Sequence, residues 1–184
     1  MTTDVAEYEA IDLGCGQDKH EGTLGVDIVE TDEVDLVMDL SEYPWDLPDD
    51  TFSTIYCIDI LEHLNEPMRF LEEVYRIATD GAVVRIKTPH FTNNNAWVDP
   101  THKRPFSAFT FKDYITNEGQ YSYYSDAEFD PVSVEIKFKC HSIFPWNVIG
   151  KYIANNRTWL YEKTVLRSIF PAQSMRIKLR AIKS

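Results

Sequence analysis

Two glycines and an aspartate near the start of the chain have the types and spacing of a cofactor-binding loop. Residues 11–16 read Ile-Asp-Leu-Gly-Cys-Gly, and Asp27 closes the next apolar run. Gly14 and Gly16 permit positive φ angles and close approach of the backbone to a ligand. An acid at the tip of the second strand can accept hydrogen bonds from two ribose hydroxyls. This pattern indicates a nucleotide-type cofactor.

Histidines and an aspartate further along the chain could transfer a proton. His102 follows Asp99 at a spacing that lets the carboxylate fix the imidazole tautomer and raise its basicity toward a hydroxyl proton. His90 follows a predicted strand and could act as a base or bind substrate, whereas His63 fits a site role or a packing role. The Asp/His grouping could instead hold a divalent metal, but its loose spacing does not specify one, and we predict a site without metal.

Apolar runs bounded by turn residues predict the strands that carry these side chains. Five parallel strands are expected over residues 10–13, 24–29, 34–38, 55–58 and 81–87. The links before the second and third strands are too short for full crossover helices, because parallel neighbours need a dozen or so linking residues. We therefore expect trimmed N-terminal helices, with a short turn in the first link and a tight loop or non-adjacent strands at the second.

The remaining elements complete one α/β domain. Apolar side chains at helical spacing, with a proline in the first turn, predict a helix over residues 66–78 that crosses from the fourth strand to the fifth. We further expect a helix over 107–115, alternating strands over 129–141 and 175–183, and helices over 146–157 and 159–170. The predicted organisation is a single domain over residues 1–184, with a cofactor-binding half at 10–88 and an acceptor-binding half at 89–184.

The order of motifs between residues 12 and 89 resembles that of class I S-adenosylmethionine-dependent methyltransferases. After Asp-Leu-Gly-Cys-Gly come Asp39 behind an apolar run, Leu-Pro-Asp-Asp-Thr-Phe at 47–52 and Leu-Glu-His-Leu at 61–64. A dehydrogenase fingerprint would need a third glycine, which is missing after Gly16. The resemblance implies a Rossmann-like, mostly parallel sheet with an antiparallel edge pair, and S-adenosyl-L-methionine (SAM) as the cofactor.

The resemblance also implies roles for individual residues. The residues it assigns are Asp12, Gly14 and Gly16 at the methionine end of SAM, Asp27 at the ribose, Asp39 at the adenine amine and Asp59 in the loop after the fourth strand. Loss of the first helix weakens the dipole that would attract the methionine carboxylate. We expect Lys19 to compensate by hydrogen bonding to that carboxylate.

Charge is divided unevenly along the chain, whose formal net charge is −12. Residues 1–80 hold 22 acids and 3 bases, whereas residues 137–184 hold ten Lys and Arg side chains and one acid. The acidic half suits hydration in a high-salt cytoplasm and would repel nucleic-acid phosphates. The basic half is interleaved with aromatic side chains, which suits an anionic substrate, a membrane surface or a solvated helix face. Because the acidic half would repel phosphates, we expect no nucleic-acid partner.

A second resemblance concerns the acceptor. The segments 89–107, 161–163 and 169–172 look like methyltransferases of glycan and surface-polysaccharide assembly, among them archaeal enzymes that methylate a hexuronic acid during protein N-glycosylation. The acidic composition is compatible with a halophilic archaeon. Lys103 and Arg104 could meet a uronic carboxylate or a lipid-linked phosphate. The predicted reaction is O-methylation of a sugar hydroxyl, with the hexuronic acid in a lipid-linked or nascent glycan.

Two other functions fit the same sequence. A small aromatic or quinone-like acceptor would use a pocket formed by Phe91, Trp97, Phe106, Phe109 and Tyr114. A non-catalytic subunit could keep the fold, although the intact cofactor motif argues against it.

The spacing of the cysteines and the short length of the apolar runs predict the cellular location. Cys15, Cys57 and Cys140 are widely spaced and predict reduced thiols. Residues 1–9 are polar, and no apolar run approaches the ~20 residues that span a bilayer. We expect a cytoplasmic protein that contacts the inner face of the cell membrane through its basic C-terminal region.

Overall fold

Seven strands form one sheet in the order β3-β2-β1-β4-β5-β7-β6. The computed structural model describes residues 4–117, 119–139 and 146–183. The strands are β1 (Ala10–Leu13), β2 (Leu24–Asp27), β3 (Leu36–Val37), β4 (Phe52–Ile58), β5 (Ala78–Pro89), β6 (Phe129–Lys137) and β7 (Ser174–Ala181). Strands β1 to β5 pair in parallel, and β7 runs antiparallel to both β5 and β6. The predicted mostly parallel sheet with an antiparallel edge pair is confirmed.

The first two links of the sheet contain turns and no helix, as the chain length between strands requires. Residues 14–23 join β1 to β2, and residues 28–35 join β2 to its neighbour β3 through a tight loop. Asp35 stabilises this loop because its Oδ2 accepts hydrogen bonds from the Gly25 N–H at 2.8 Å and from Lys19 Nζ at 2.9 Å. The prediction of a trimmed N-terminal half is confirmed.

Six short helices surround the sheet in the described residues. They are α1 (Pro67–Ile77), α2 (Asn95–Val98), α3 (Ala108–Thr110), α4 (Trp146–Asn156), α5 (Thr158–Glu162) and α6 (Leu166–Ile169), and α3 continues as a π-helical turn over Phe111–Ile115. Ser107 begins α3 because its hydroxyl accepts the Phe109 N–H at 3.1 Å. Among the described helices, none is long and apolar enough to span a membrane.

One expected helix, over residues 159–170, is divided into α5 and α6. The Glu162 side chain is drawn into the protein interior, while Arg167 Nη1 donates to the Glu162 carbonyl at 2.9 Å and ends α5 there. Strand boundaries also differ from the prediction. The β5 strand begins at Ala78, directly after α1, and β6 ends at Lys137. The last residues of the predicted sixth strand, 140–141, and with them Cys140, lie outside the described residues.

The core lies against one face of the sheet. On β7, alternate residues from Met175 to Ala181 are buried, whereas Arg176, Lys178 and Arg180 point to the opposite face. From α1, Phe70, Leu71, Val74 and Ile77 join the core. Because the short links leave this opposite face without crossover helices, most of its polar side chains stay exposed or half-buried, with Asp12 as a buried exception. Cys15 and Cys57 are buried free thiols, as predicted.

Candidate functional site

The carboxyl ends of β1, β2 and β4 meet at a crowded turn around Gly14. The Gly14 backbone has φ of +76°, a conformation that residues with a Cβ atom rarely adopt. A Cβ atom on Gly14 would also lie 2.9 Å from the Ile60 Cδ1 atom. Both observations explain why glycine is needed here. The lack of a side chain also allows a ligand to approach the Gly14 backbone.

Asp27 ends β2 and holds this loop in shape. Its Oδ2 accepts the Gly16 N–H at 2.9 Å, and its Oδ1 accepts the Val29 N–H at 3.0 Å. A carboxylate oxygen can accept more than one hydrogen bond, so both oxygens keep capacity for a ligand. Asp27 therefore combines a structural role with an acceptor position at the mouth of a cavity.

That cavity, which we call the β2-side cavity, has a volume of about 310 Å³. Asp39 lies on its wall, and its Oδ1 accepts the Ser41 hydroxyl at 2.6 Å and the Ser41 N–H at 2.8 Å. These hydrogen bonds lower the pKa of the Asp39 carboxyl, so it is ionised at neutral pH. The cavity lining comprises Gly14, Asp27, Ile28, Met38, Asp39, Leu40, Ser41, Ile60, His63, Leu64, Asn65 and Lys103.

A second cavity, the β5-side cavity, opens beyond β4 and β5 and has a volume of about 650 Å³. His63 lines both cavities and therefore stands at their junction. Near it, Asp59 has φ of +52° and forms an ion pair with Lys87 at the end of β5. The lining comprises Asp59, Glu62, His63, Lys87, Pro89, Asn93, Asn95, Val98, Asp99, Pro100, His102, Gln173 and Ser174.

Glu62, His63 and His102 form a cluster in the wall of the β5-side cavity. The two imidazole rings meet edge to face with centroids 4.7 Å apart. Burial raises the pKa of the Glu62 carboxyl to about 7 despite a hydrogen bond from Thr88, and burial together with the neighbouring His102 lowers the pKa of His63. The three residues offer donor atoms within 4.8 Å of one another, a set that could hold a metal ion.

The predicted Asp99 and His102 pair lies at the same cavity in a looser form than expected. Asp99 Oδ2 is 3.7 Å from His102 Nε2, within ion-pair distance but too long for a hydrogen bond. Asp99 Oδ1 instead accepts the Thr101 hydroxyl at 2.6 Å, and the nearest contact of His102 Nδ1 is the Ala96 carbonyl at 3.4 Å. The backbone carbonyl, rather than Asp99, therefore orients the ring.

His90, by contrast, is fully buried and does not line either cavity. Its Nε2 lies 3.2 Å from Glu162 Oε1 and its Nδ1 lies 2.8 Å from the Thr92 hydroxyl. Burial alone would raise the pKa of Glu162, but hydrogen bonds from His90, Ser107 and the Ala108 N–H outweigh it and lower that pKa. In this position His90 ties α5 to the end of β5 and cannot contact an acceptor.

Two more of the expected cofactor residues are engaged within the protein. Asp12 is buried, and its Oδ2 accepts the His20 N–H at 2.9 Å and lies 2.7 Å from His20 Nδ1. The His20 ring stacks on Tyr56 at 3.9 Å, beside a third cavity on the open sheet face. Lys19 bonds to Asp35, as described above. The structure thus brings Gly14, Asp27 and Asp39 together. Asp12 instead supports the link after β1 through its hydrogen bonds to His20.

Sequence reasoning missed several residues of the two cavities. The sequence placed Glu62 in the Leu-Glu-His-Leu motif without assigning it a role, and Lys87 was expected only as the last residue of the fifth strand. Lys103, expected near the acceptor, lines the β2-side cavity because its backbone N–H donates to the Glu62 carbonyl at 2.7 Å. Arg104, expected beside it, donates to the Asn65 carbonyl at 2.6 Å.

Comparisons with known proteins agree with this architecture. Residues 11–86 match the family model of a methyltransferase domain. None of the curated protein sequences matches the chain.

Solved structures share the fold over nearly the whole chain. A SAM-dependent methyltransferase from Archaeoglobus fulgidus is 22% identical with a TM-score of 0.64, over 94% of this chain and 86% of the other. A SAM-dependent methyltransferase from Mesorhizobium loti is 16% identical with a TM-score of 0.58, over 97% of this chain and 93% of the other. A putative methyltransferase, solved in complex with the Haloferax volcanii Trm112 methyltransferase activator, is 15% identical with a TM-score of 0.52, over 96% of this chain and 84% of the other.

These identities establish a shared fold and leave the acceptor open. The strand order and the antiparallel edge pair are those of the Rossmann-like class I methyltransferase fold. The matched domain and the shared fold support a SAM-dependent methyltransferase with S-adenosylmethionine as its cofactor.

Proposed function

We propose that the protein transfers the methyl group of SAM to a hydroxyl of a sugar, and that the sugar is a hexuronic acid in a lipid-linked or nascent glycan. The observation that carries this proposal is the set of charged and polar side chains that line the β5-side cavity, in which Pro89, Val98 and Pro100 are the apolar members. None of the five aromatic residues that a small aromatic acceptor would need lines this cavity in the described part of the chain. Hydroxyl groups suit such a wall better than an aromatic ring does.

The β2-side cavity is the proposed site of the adenosine. Asp27 would accept hydrogen bonds from the ribose hydroxyls, and Asp39 would accept one from the adenine amine. Apolar side chains of Ile28 and Leu40 line the same cavity and would contact the purine ring. His63 lies at the junction with the β5-side cavity, so the sulfonium would sit near it, facing the acceptor.

The β5-side cavity is the proposed site of the acceptor. Methyl transfer needs the hydroxyl oxygen in line with the methyl carbon and the sulfur, which positioning alone can accelerate strongly. We assign the activation of the hydroxyl to His102, whose Nε2 faces Asp99 at 3.7 Å, a distance at which the carboxylate would stabilise a protonated ring. Lys87, which forms an ion pair with Asp59, is a cation of this cavity that a uronic carboxylate would contact.

A surface on α4, α5 and α6 supports an acceptor held at a membrane. Large apolar side chains are exposed there beside cations, and exposed apolar side chains that lie together often mark an interaction surface. Aromatic and basic side chains together suit an anionic lipid interface. The apolar members are Trp146, Val148, Ile149, Tyr152, Trp159, Leu160, Val165 and Ile169, and the exposed cations are Lys151, Arg157, Lys163 and Arg167.

This membrane contact can be tested by co-sedimentation with lipid vesicles. We expect binding to vesicles that contain phosphatidylglycerol and weaker binding to phosphatidylcholine alone. The double variant Lys151→Glu and Arg157→Glu should bind the anionic vesicles at least ten-fold more weakly, since each surface cation contributes about 1 kcal/mol. Equal binding of variant and wild type would argue against the membrane surface.

The proposed reaction is tested with methyl-labelled SAM and a matched panel of acceptors. The panel pairs a glucuronic acid glycoside with the corresponding glucoside, and adds a catechol as the aromatic alternative. We expect label in the uronic acid glycoside, less in the glucoside and none in the catechol. Preferential labelling of the catechol would replace the sugar acceptor with an aromatic one.

A further inference from the structure

Glu62, His63 and His102 converge on one point of the β5-side cavity from two separate segments. Glu62 and His63 belong to the 3₁₀ turn Leu61–His63 after β4, and His102 belongs to the loop that follows α2. The backbone hydrogen bond from Lys103 to the Glu62 carbonyl, at 2.7 Å, holds the two segments together. As a result, one donor atom from each of the three side chains lies within 4.8 Å of the others.

Hydrogen bonds leave one nitrogen of each imidazole free. The Thr101 hydroxyl donates to Asp99 at 2.6 Å, so its oxygen must accept from His63 Nδ1 at 2.9 Å, and the His63 lone pair is on Nε2. The Ala96 carbonyl can only accept, which places a proton on His102 Nδ1 and a lone pair on Nε2. Metal-binding histidines are typically oriented in this way, with the second nitrogen donating to a carbonyl or a polar oxygen.

Glu62 adds a buried oxygen that lacks a partner. The residue is 2% exposed, and its Oε2 accepts the Thr88 hydroxyl at 3.0 Å. Its Oε1 is also buried, and no polar group in residues 4–117, 119–139 or 146–183 hydrogen bonds to it. An unpaired buried carboxylate oxygen is costly. A cation beside the two free imidazole nitrogens would remove that cost.

We propose that Glu62, His63 and His102 bind a divalent transition-metal ion, and that this ion holds the hydroxyl that is methylated. Two imidazoles and one carboxylate suit Mn²⁺, Fe²⁺ or Zn²⁺ and leave coordination positions for a ligand, whereas Mg²⁺ and Ca²⁺ prefer oxygen ligands alone. The role in methylation rests on the proposed function, because it assumes that the acceptor occupies this cavity. Metal binding itself does not depend on that assumption.

In this arrangement His102 acts by holding the ion, so the ion activates the hydroxyl, and this replaces a direct role of His102 as the base. The ion lowers the pKa of the hydroxyl, whose proton leaves to water. The oxygen then forms a bond to the methyl carbon, and the bond between carbon and sulfur breaks with its electron pair going to sulfur. The products are a methyl ether and the neutral thioether of the cofactor, so charge and atoms balance without an oxidant.

The first test is calorimetric titration of protein dialysed against a chelator, with MnCl₂ and ZnCl₂ as the probes. We expect binding of one ion per chain for at least one of the two metals. Glu62→Gln and His102→Ala should each weaken that binding by at least about ten-fold. Glu66→Gln, on an exposed glutamate four residues further along the chain, is the matched control and should bind as wild type does.

Circular dichroism of each variant shows that it is folded, and if His102→Ala unfolds, Glu62→Gln carries the test. Absence of binding at this stoichiometry, or unchanged affinity in Glu62→Gln, would overturn the metal site. A second signature is the visible absorption of bound Co²⁺, which should appear in wild type and Glu66→Gln and be lost in Glu62→Gln.

Activity separates this proposal from the proposed function. Wild-type enzyme treated with chelator should lose methyl transfer to the uronic acid glycoside and recover it when the bound metal is returned. Full turnover in the chelated enzyme would overturn the role of the metal and leave sugar methylation supported. Metal binding at the cluster without methyl transfer to any hydroxyl acceptor would instead overturn the proposed function and leave the metal site supported.

Discussion

The two cavities at the carboxyl end of the sheet are built in different ways. The β2-side cavity is built around the turn at Gly14 and around acids at or near strand ends, as with Asp27, the last residue of β2, although Lys103 also reaches it from a distant loop. The β5-side cavity is formed by side chains from separate loops, so that His102 meets Glu62 across about forty residues of sequence. Local sequence can specify a backbone turn, whereas convergence of side chains depends on how loops pack. The contrast predicts that the two cavities respond differently to substitution.

His102→Ala tests whether chemistry is confined to the β5-side cavity. We expect turnover to fall by roughly 10²–10⁴, the range found when a group that activates the acceptor is removed. SAM affinity should stay within about two-fold of wild type, because His102 does not line the β2-side cavity. Turnover is followed with labelled SAM, and affinity by calorimetry. A fully active variant would remove His102 from the reaction, and a loss of SAM affinity would show that the cavities are coupled.

Asp27→Ala is the reciprocal test at the β2-side cavity. We expect SAM affinity to fall by about 100-fold, because the variant loses charge-assisted hydrogen bonds to the ribose and the bond that holds Gly16. Asp32→Ala removes an exposed acid from the loop that follows β2 and serves as the matched control, with wild-type affinity expected. If calorimetry gives equal SAM affinity for Asp27→Ala and Asp32→Ala, Asp27 is not part of the cofactor site.

Glu162→Gln examines the buried network that removes His90 from the β5-side cavity. The ionised carboxylate accepts hydrogen bonds from Ser107 and from the Ala108 N–H, so the variant should lose about 2 kcal/mol of stability at pH 7. The pKa of Glu162 is lowered on folding, so its stabilisation is present above the ordinary value of 4.5 and is lost as pH falls through the folded value.

Urea unfolding at pH 7 and at acid pH measures this effect, with Glu42→Gln on the exposed surface as the control. The difference between Glu162→Gln and wild type should shrink as the pH falls. A difference that is independent of pH would mean that the carboxylate is not ionised in this network. The burial of His90 beside Glu162 would then not be explained by a hydrogen bond to an ionised carboxylate.

The same contrast explains what could be predicted from the sequence. The Asp-Leu-Gly-Cys-Gly motif predicted the turn at Gly14 because a positive φ is a property of the local backbone, whereas the packing of Gly14 against Ile60 is a tertiary contact. The mostly parallel sheet with its antiparallel edge pair was implied by the family resemblance, and the short links predicted the missing helices, but they left open whether β2 and β3 are neighbours. Burial of His90 could not be predicted, since it depends on Glu162, which lies 72 residues away and is brought in by α5.

Glu62 shows the same limit within the site itself. Its sequence context gave no sign of burial, and the backbone bond from Lys103 to the Glu62 carbonyl brings the loop at residues 99–104 against it. The ring orientations of His63 and His102 depend on Thr101 and on the Ala96 carbonyl in that same loop. When a site is assembled by tertiary packing, the sequence shows the types of its residues but not which of them will meet.

Lys19→Met has the smallest expected effect and tests where the β2-side cavity ends. The Lys19 ammonium is 2.9 Å from Asp35, whose carboxylate also accepts the Gly25 N–H, so its removal should lower stability by about 1 kcal/mol. SAM affinity should stay within about two-fold, because Lys19 does not line the cavity. A ten-fold loss of SAM affinity would support the sequence prediction that Lys19 binds the methionine carboxylate. The β2-side cavity would then extend across the first link to include the Lys19 side chain.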